Sequence, residues 1–327
     1  MTASLTVRDE HWPLASAFVI ARGAKTEAHV LVVEISQDGA IGRGEAVPYG
    51  RYGQTMDGEV ARVEALRGAI EGGLSREALQ DLAPAGAARN AVDCALWDLE
   101  AKLSGVPAWK RAGRPRLDPV KTCYTISLDT PEAMAQAARM AARRPFLKLK
   151  IGGADDLDRV IAVRAAAPKA RLVVDGNEGL AFEDLKRLAG DFARLDVKMI
   201  EQPLKAEEDG ALEGYESPVV LCADESLHTR ADLAVCARRY GAVNVKLDKA
   251  GGLTEALMVV AQARALGLQV MAGCMVATSL SMAPAMIIAQ GADVVDLDGP
   301  LLLARDRKPG LVFDGALIHP TPVELWG

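Results

Sequence analysis

The sequence predicts an α/β chain in two parts: a barrel of parallel strands and helices, preceded by a smaller α+β module. Three observations carry this. From Thr122 onward, short apolar runs alternate with helical stretches. Charged residues recur at the ends of those runs, most of them roughly two dozen residues apart, about the length of one β/α unit. The first third of the chain lacks this alternation and instead carries a hairpin signal. At 327 residues the chain is long for one domain, whereas α/β barrels alone run roughly 200 to 250 residues, so a barrel plus a module accounts for the length.

Residues 1–13 contain Arg8, Asp9, Glu10 and His11, which interrupt the apolar core that a signal peptide needs. No run approaches the roughly 18 apolar residues of a membrane span. The chain is therefore expected in the cytoplasm. Residues 29–35 are rich in β-branched side chains and lead through Gln37-Asp38-Gly39 into a second short strand at 41–46, as in a hairpin. In the helical stretch that follows, Val92, Ala95, Leu96, Leu99 and Leu103 fall on one face. This module spans 1–115 and ends in the Gly- and Pro-containing segment 113–119.

The barrel is expected over 116–300, with strands at 123–127, 146–151, 172–175, 197–201, 219–224, 243–247, 270–274 and 294–298. Helices are expected at 131–143, 155–166, 182–195, 230–240, 253–266 and 279–290. Eight strands are enough to close a barrel. The weakest unit follows Glu201, where only a short helix fits. The tail 301–327 has no helical period and is expected to pack back on the first module.

Half the residues are apolar, a quarter are charged and the net charge is -6. That composition offers no basic surface for nucleic acid or an anionic membrane and favours a small-molecule substrate. The five cysteines, Cys94, Cys123, Cys222, Cys236 and Cys274, are scattered and mostly set in apolar runs. They read as reduced core thiols rather than a disulfide framework or zinc site. Homo-oligomer formation stays open.

In such a barrel the C-terminal strand ends converge at one mouth. Asp175, Glu201 and Asp224 end three consecutive strands and together offer three oxygens to a hard divalent cation, Mg²⁺, which keeps further positions for water or substrate. Each acid alone could equally be a helix N-cap. Lys148 and Lys150, two apart on one strand, share the inward face, where an unpaired ammonium is costly. Lys246, in Val243-Asn244-Val245-Lys246-Leu247, lies across the barrel. These lysines could also snorkel to solvent. Held near a cation and another ammonium, a lysine has its pKa lowered and serves as a base near neutral pH. The arrangement suggests abstraction of a proton α to a carboxylate, with the metal stabilising the resulting enediolate and lysines on opposite faces: a racemase or epimerase geometry.

Lys148-x-Lys150, Asp175-x-Asn177, Glu201-Gln202-Pro203, Ala223-Asp224-Glu225-Ser226 and Lys246-Leu247-Asp248-Lys249-Ala250-Gly251-Gly252 resemble the muconate-lactonising subgroup of the enolase superfamily, whose sites pair a Lys or His base with Mg²⁺. The resemblance covers nearly the whole chain. It implies a modified TIM barrel, (β/α)7β, with an N-terminal α+β capping domain that the C-terminal tail joins. Lys150 and Lys246 become the acid/base pair, Lys148 a support for the enediolate charge, and Asp175, Glu201 and Asp224 the Mg²⁺ ligands. Asn177, Gln202 and Asp248 become groups behind the ligands.

Asp296-Leu297-Asp298 on the last strand resembles the D-x-D pair with which dipeptide epimerases of this family bind a substrate ammonium. Such a pair in a desolvated pocket needs a cation, though it could also merely cap the strand. Ile20-Ala21-Arg22-Gly23, Pro48-Tyr49-Gly50-Arg51-Tyr52-Gly53 and Gly273-Cys274-Met275 are similar to segments of the epimerases that act on L-Ala-D/L-Glu. By that likeness Arg22, or else Arg51, pairs with the substrate glutamate side chain, and Thr125 and Ser127 hydrogen-bond near the substrate carboxylate. The implied activity is Mg²⁺-dependent epimerisation of the C-terminal residue of a dipeptide by two-base 1,1-proton transfer, in murein peptide recycling. An N-acylamino acid racemase or cycloisomerase of the same superfamily, and a non-catalytic metal- or ligand-binding barrel, are the alternatives.

Overall fold

The structure is a computed structural model that describes residues 3–153 and 155–327. The chain opens on a three-stranded antiparallel sheet of Ser4–Ile20, Gly23–Gln37 and Ala40–Ala46. Its first strand is hidden in the sequence, because the charged run at residues 8–11 masks the strand's alternation. Those charges pair instead with the next strand, Arg8 meeting Glu34 at 2.6 Å. The hairpin at Asp38 and Gly39 is present, with both residues at positive φ, 51° and 84°, as a tight two-residue turn requires.

The helix Ala87–Ser104 lies directly on this sheet. A Cβ added at Gly42 would fall 2.1 Å from the Ala95 carbonyl oxygen, and one at Gly44 2.0 Å from that of Ala91, so glycine is what permits the approach. Leu31, Val33 and Ile35 then pack against Ala91, Val92, Ala95 and Leu99.

The barrel strands, first to eighth, are Tyr124–Ile126, Phe146–Lys150, Arg171–Asp175, Val197–Glu201, Val220–Ala223, Ala242–Val245, Gln269–Gly273 and Val294–Asp296. They form one sheet in sequence order, and the Cys123 amide donating to the Val295 carbonyl at 2.8 Å closes it. Helices follow most strands. After Glu201 there is only the 3-10 turn Asp209–Leu212, and after the eighth strand only Gly299–Leu302, which is the (β/α)7β variant. Strands end one or two residues earlier than expected where a turn takes over. Asp298 has φ -91° and ψ 4°, outside the last strand, and Lys246 precedes the short helix Leu247–Ala250.

Alternation splits each barrel strand between two environments. Leu147, Leu149, Leu172, Val174 and Ile200 face the helices in the main core. Cys123, Val173, Met199, Cys222, Ala242, Met271 and Val294 line an apolar floor inside the barrel. All five cysteines are free, and all but Cys274 are buried.

Paired polar groups fasten the first module to the barrel. Asp248 Oδ1 accepts from the Val47 amide at 2.8 Å and from Asn90 at 3.0 Å. Arg89 donates to the carbonyls of Ala250 at 2.7 Å and Gly251 at 3.1 Å. The tail contacts this module too, the Trp326 indole donating to the Cys94 carbonyl and the Gly327 amide to Asp98.

Asp93 sits at this junction, accepting from the Thr254 amide at 2.9 Å and from Gln80 at 3.2 Å. Burial pushes its carboxyl up to about 6 despite the hydrogen bond from Thr254. A raised carboxyl favours the folded state below its ordinary value near 3.8, and that contribution is lost as pH rises to about 6. Above that window the buried charge costs about 3 kcal/mol. Asp93→Asn keeps the acceptor for Thr254, and Gln80, whose Oε1 is buried without a partner, can turn to accept from the new amide. Thermal denaturation should find the variant more stable than the parent at pH 7.5 and no more stable at pH 4. An equal difference at both pH values would refute the raised carboxyl.

Candidate active site

Strand register assembles the site. Lys150, Asp175 and Glu201 are aligned residue to residue across the second, third and fourth strands. Lys148 lies one pleat below Lys150 on the same inward face, and its ammonium is the hub. It sits 2.7 Å from Glu201, 2.8 Å from Asp296 and 3.1 Å from Asp175. Lys150 Nζ lies 2.6 Å from Asp175, and Lys246 Nζ 2.7 Å from Asp224. All of these side chains are buried.

Asp224 is set by its surroundings rather than by a strand. Its amide donates to Gln202 Oε1 at 2.8 Å, and Gln202 in turn donates to the Leu204 carbonyl and to Tyr240. Gln202 thus supports a ligand candidate, as expected. Asn177 does so through its backbone, its amide donating to Asp175 at 2.9 Å. Asp248 instead anchors the capping module. Lys249, to which the sequence assigned no role, bonds Asp224 Oδ1 at 2.5 Å and the Asn244 carbonyl at 3.1 Å. Asn244 donates to Glu201 at 2.7 Å, and a Cβ at Gly273 would meet its side chain at 2.2 Å. Lys249 and Asn244 stand in the same motif as Lys246; Asn244, between Val243 and Val245, carried a signal of burial, whereas Lys249, next to Asp248, carried none.

The electrostatics follow from these contacts. Burial acts to lower Lys148 and Lys246, but Asp296, Glu201 and Asp175 around the first, and Asp224 and Glu201 around the second, hold both well above the ordinary lysine value. The expected lowering is therefore absent from this arrangement, because carboxylates rather than cations are in contact. Burial and the neighbouring Asp175 raise Glu201 to about 7, and burial with Asp296 raises Asp298 to about 7. Asp224 is driven well below its usual range; burial opposes this, but Lys246 and Lys249 outweigh it.

Among the described residues, Asn177 Oδ1 is buried without a hydrogen-bond donor, and Glu201 Oε2 has only the ion pair with Lys148 at 2.7 Å. Three buried carboxylates at the ends of adjacent strands, held now by lysine ammonium groups, fit a hard divalent cation.

A cavity of about 550 Å³ opens above the cluster, lined by Thr125, Lys148, Lys150, Asp224, Lys246, Asp296 and Asp298 below and by the capping loops above. Asp298 accepts from the Thr125 amide at 2.6 Å, and Asp296 Oδ1 is buried without a partner. Ser127 lies past the first barrel strand and, unlike Thr125, is not among the residues that line the cavity. The strand ends at Ile126. Arg22 and Arg51 both line the cavity, and both are already paired. Arg22 donates to Glu225 at 2.6 Å, Glu178 at 3.0 Å and the Asn177 carbonyl at 2.7 Å. Arg51 grips Glu178 through two 2.8 Å bonds. Glu178 and Glu225 were not singled out by the sequence, where they look like loop acids.

A lysine pair facing buried acids at the mouth of a (β/α)7β barrel is an arrangement suited to acid–base chemistry. Residues 132–310 match the family described as enolase C-terminal domain-like, and residues 2–113 the mandelate racemase / muconate lactonizing enzyme N-terminal domain. The chain belongs to this branch of the enolase superfamily and is an isomerase. It is 43% identical to the L-Ala-D/L-Glu epimerase of Escherichia coli K12, covering 97% of this chain and 99% of that one. It is 40% identical to an N-acetyl-D-glutamate racemase of Pseudoalteromonas, over 91% and 95%. Among solved structures, an enolase family member from Agrobacterium tumefaciens with homology to dipeptide epimerases, bound to sodium and L-Ala-L-Glu, superposes with a TM-score of 0.98. That match has 50% identity and covers 99% of this chain and 100% of that one.

If Asp175, Glu201 and Asp224 form the cation site, Glu201→Gln should weaken Mg²⁺ binding by on the order of tenfold or more, since no spare protein carboxylate replaces it. The fold should survive, because the amide oxygen still accepts from Asn244. Titration calorimetry with unchanged Mg²⁺ affinity would remove Glu201 from the site.

Proposed function

We propose that this isomerase is a dipeptide epimerase that inverts the α-carbon of the C-terminal residue, with L-Ala-D-Glu and L-Ala-L-Glu as its substrates. The observation that carries the reading is the placement of Lys150 and Lys246 at the ends of the second and sixth of eight strands, on opposite walls of one cavity. Mg²⁺ held by Asp175, Glu201 and Asp224 would supply positive charge beside the substrate carboxylate, making the α-proton more acidic.

The chain's own residues do the rest. One lysine, as the free amine, takes the α-proton on its face, and the other, as ammonium, delivers a proton to the opposite face. Lys148 steadies negative charge developing on the carboxylate. Asp296 through its unpartnered Oδ1, together with Asp298, holds the substrate's free ammonium. Thr125 fixes Asp298. Arg22 or Arg51 meets the glutamate side chain by exchanging a bond to Glu225 or Glu178 for one to substrate. Action in the cytoplasm on peptides released from murein is the setting this chemistry suits.

The likeness to an N-acetyl-D-glutamate racemase favours a second reading, in which the substrate's nitrogen is acylated and neutral. Two buried carboxylates facing that nitrogen argue for a cation there. Ala-Glu with a free amine should therefore outpace both its N-acetyl form and N-acetylglutamate, and Asp298→Asn should erase about 2 to 5 kcal/mol of that preference. Parity between free and acetylated substrates in the parent enzyme would decide for the racemase.

The two-base assignment is tested in deuterated water by following the α-proton by NMR. Either Lys150→Ala or Lys246→Ala should abolish net epimerisation. The Lys246 variant should still exchange the α-proton of one Ala-Glu diastereomer without inversion, and the Lys150 variant that of the other. Exchange of the same diastereomer by both would contradict lysines on opposite faces.

A further inference from the structure

We propose that the capping hairpin carries a second cation site, for a nitrogen-seeking divalent ion such as Zn²⁺, formed by Asp9, His11 and His29 with Glu27 behind His11. The sheet register sets His11 directly opposite His29 and places Asp9 two residues earlier on the same face. The imidazole rings stack with centroids 4.0 Å apart and planes inclined by 23°. Asp9 Oδ1 serves both rings. It is in hydrogen-bond contact with His29 Nε2 and lies 3.7 Å from His11 Nε2. One ligand atom from each of the three residues lies within 4.8 Å of the others.

The fourth residue gives the cluster its chemistry. Glu27 Oε1 lies 3.1 Å from His11 Nδ1, so the Nδ1 proton belongs to that bond and Nε2, 3.7 Å from Asp9 Oδ1, is left with its lone pair for an ion that the exposed, stacked rings would turn to share. This is the carboxylate–histidine–metal arrangement, in which the outer acid fixes the tautomer and raises ligand basicity. Two imidazoles and one carboxylate suit Zn²⁺ in tetrahedral coordination, with the last position left to water. The all-oxygen cluster in the barrel suits Mg²⁺, so the two sites differ in kind.

Position gives the site a consequence. The same two strands turn at Ala21 and Arg22, and Glu27 and His29 line the wall of the active cavity. Pairing between these strands breaks between Pro13 and Phe18, so an ion held at Asp9, His11 and His29 would tie them together on one side of that break.

The test uses the full-length protein with MgCl₂ saturating the barrel site. Titration with ZnCl₂, with bound zinc measured after dialysis, should reveal one equivalent of Zn²⁺. His29→Gln and His11→Gln should each weaken it by on the order of tenfold or more, and Glu27→Gln by about tenfold without changing the stoichiometry. The four residues are exposed or half-exposed, so the variants should fold, as circular dichroism would verify. No zinc bound in the presence of Mg²⁺, or equal zinc binding in the parent and His29→Gln, would overturn the proposal.

Discussion

The ammonium of Lys148 is the contact on which the site depends. It is buried among Asp175, Glu201 and Asp296, three acids from three strands that could not share one lumen without a cation between them. Burying charge is costly unless every partner is in place, and the barrel arranges this by stacking two layers. Below lies the apolar floor of Cys123, Val173, Met199 and Met271. Above it Asp175, Glu201, Asp224 and Asp296 each have a lysine within 3.1 Å, and Lys148 and Lys249 each meet more than one acceptor. Removing Lys148 would leave three carboxylates facing one another.

That constraint reaches outward to the capping module. Arg22 spans from the hairpin turn to Asn177, Glu178 and Glu225, all on barrel loops, and Arg51 shares Glu178. Phe18 of the first strand lies over Lys150, 5.7 Å from its ammonium. The cavity roof is thus held by ion pairs that a substrate carboxylate can compete for, whereas the module's attachment rests on buried contacts such as Asp248 to Val47. The same module grips the barrel firmly at its base and exchangeably at its mouth.

The barrel was legible because its strands are buried on both faces, and a charge at the end of such a run has few explanations. Lys148, Lys150, Asp175, Glu201, Asp224, Lys246, Asp296 and Asp298 all meet at one mouth for that reason. The first strand was not legible, since its charged residues are satisfied by cross-strand pairs that local sequence does not reveal. Ser127 rested on family likeness alone, and the strand that would carry it inward ends at Ile126. Glu178, Glu225 and Lys249 escaped because their partners lie on other loops; a single acid or lysine gives no hint of a long-range partner.

Lys249 changes the charge balance of the proposed mechanism. With every group ionised, Asp175, Glu201, Asp224, Asp296 and Asp298 set five carboxylates against the four ammonium groups of Lys148, Lys150, Lys246 and Lys249, an excess of one negative charge that the raised Glu201 and Asp298 relieve in part. In that state the surrounding carboxylates hold Lys148 and Lys246 well above the ordinary lysine value. With a divalent cation in place the excess becomes one positive charge, and the cluster returns to neutrality when a single lysine releases its proton. Cation binding and the creation of a free-amine base are then one electrostatic event. In the proposed mechanism the lowered lysine expected from the sequence would belong to the enzyme with its cation bound, and among the carboxylates that raise Lys148 and Lys246, Asp175, Glu201 and Asp224 are those that would hold it.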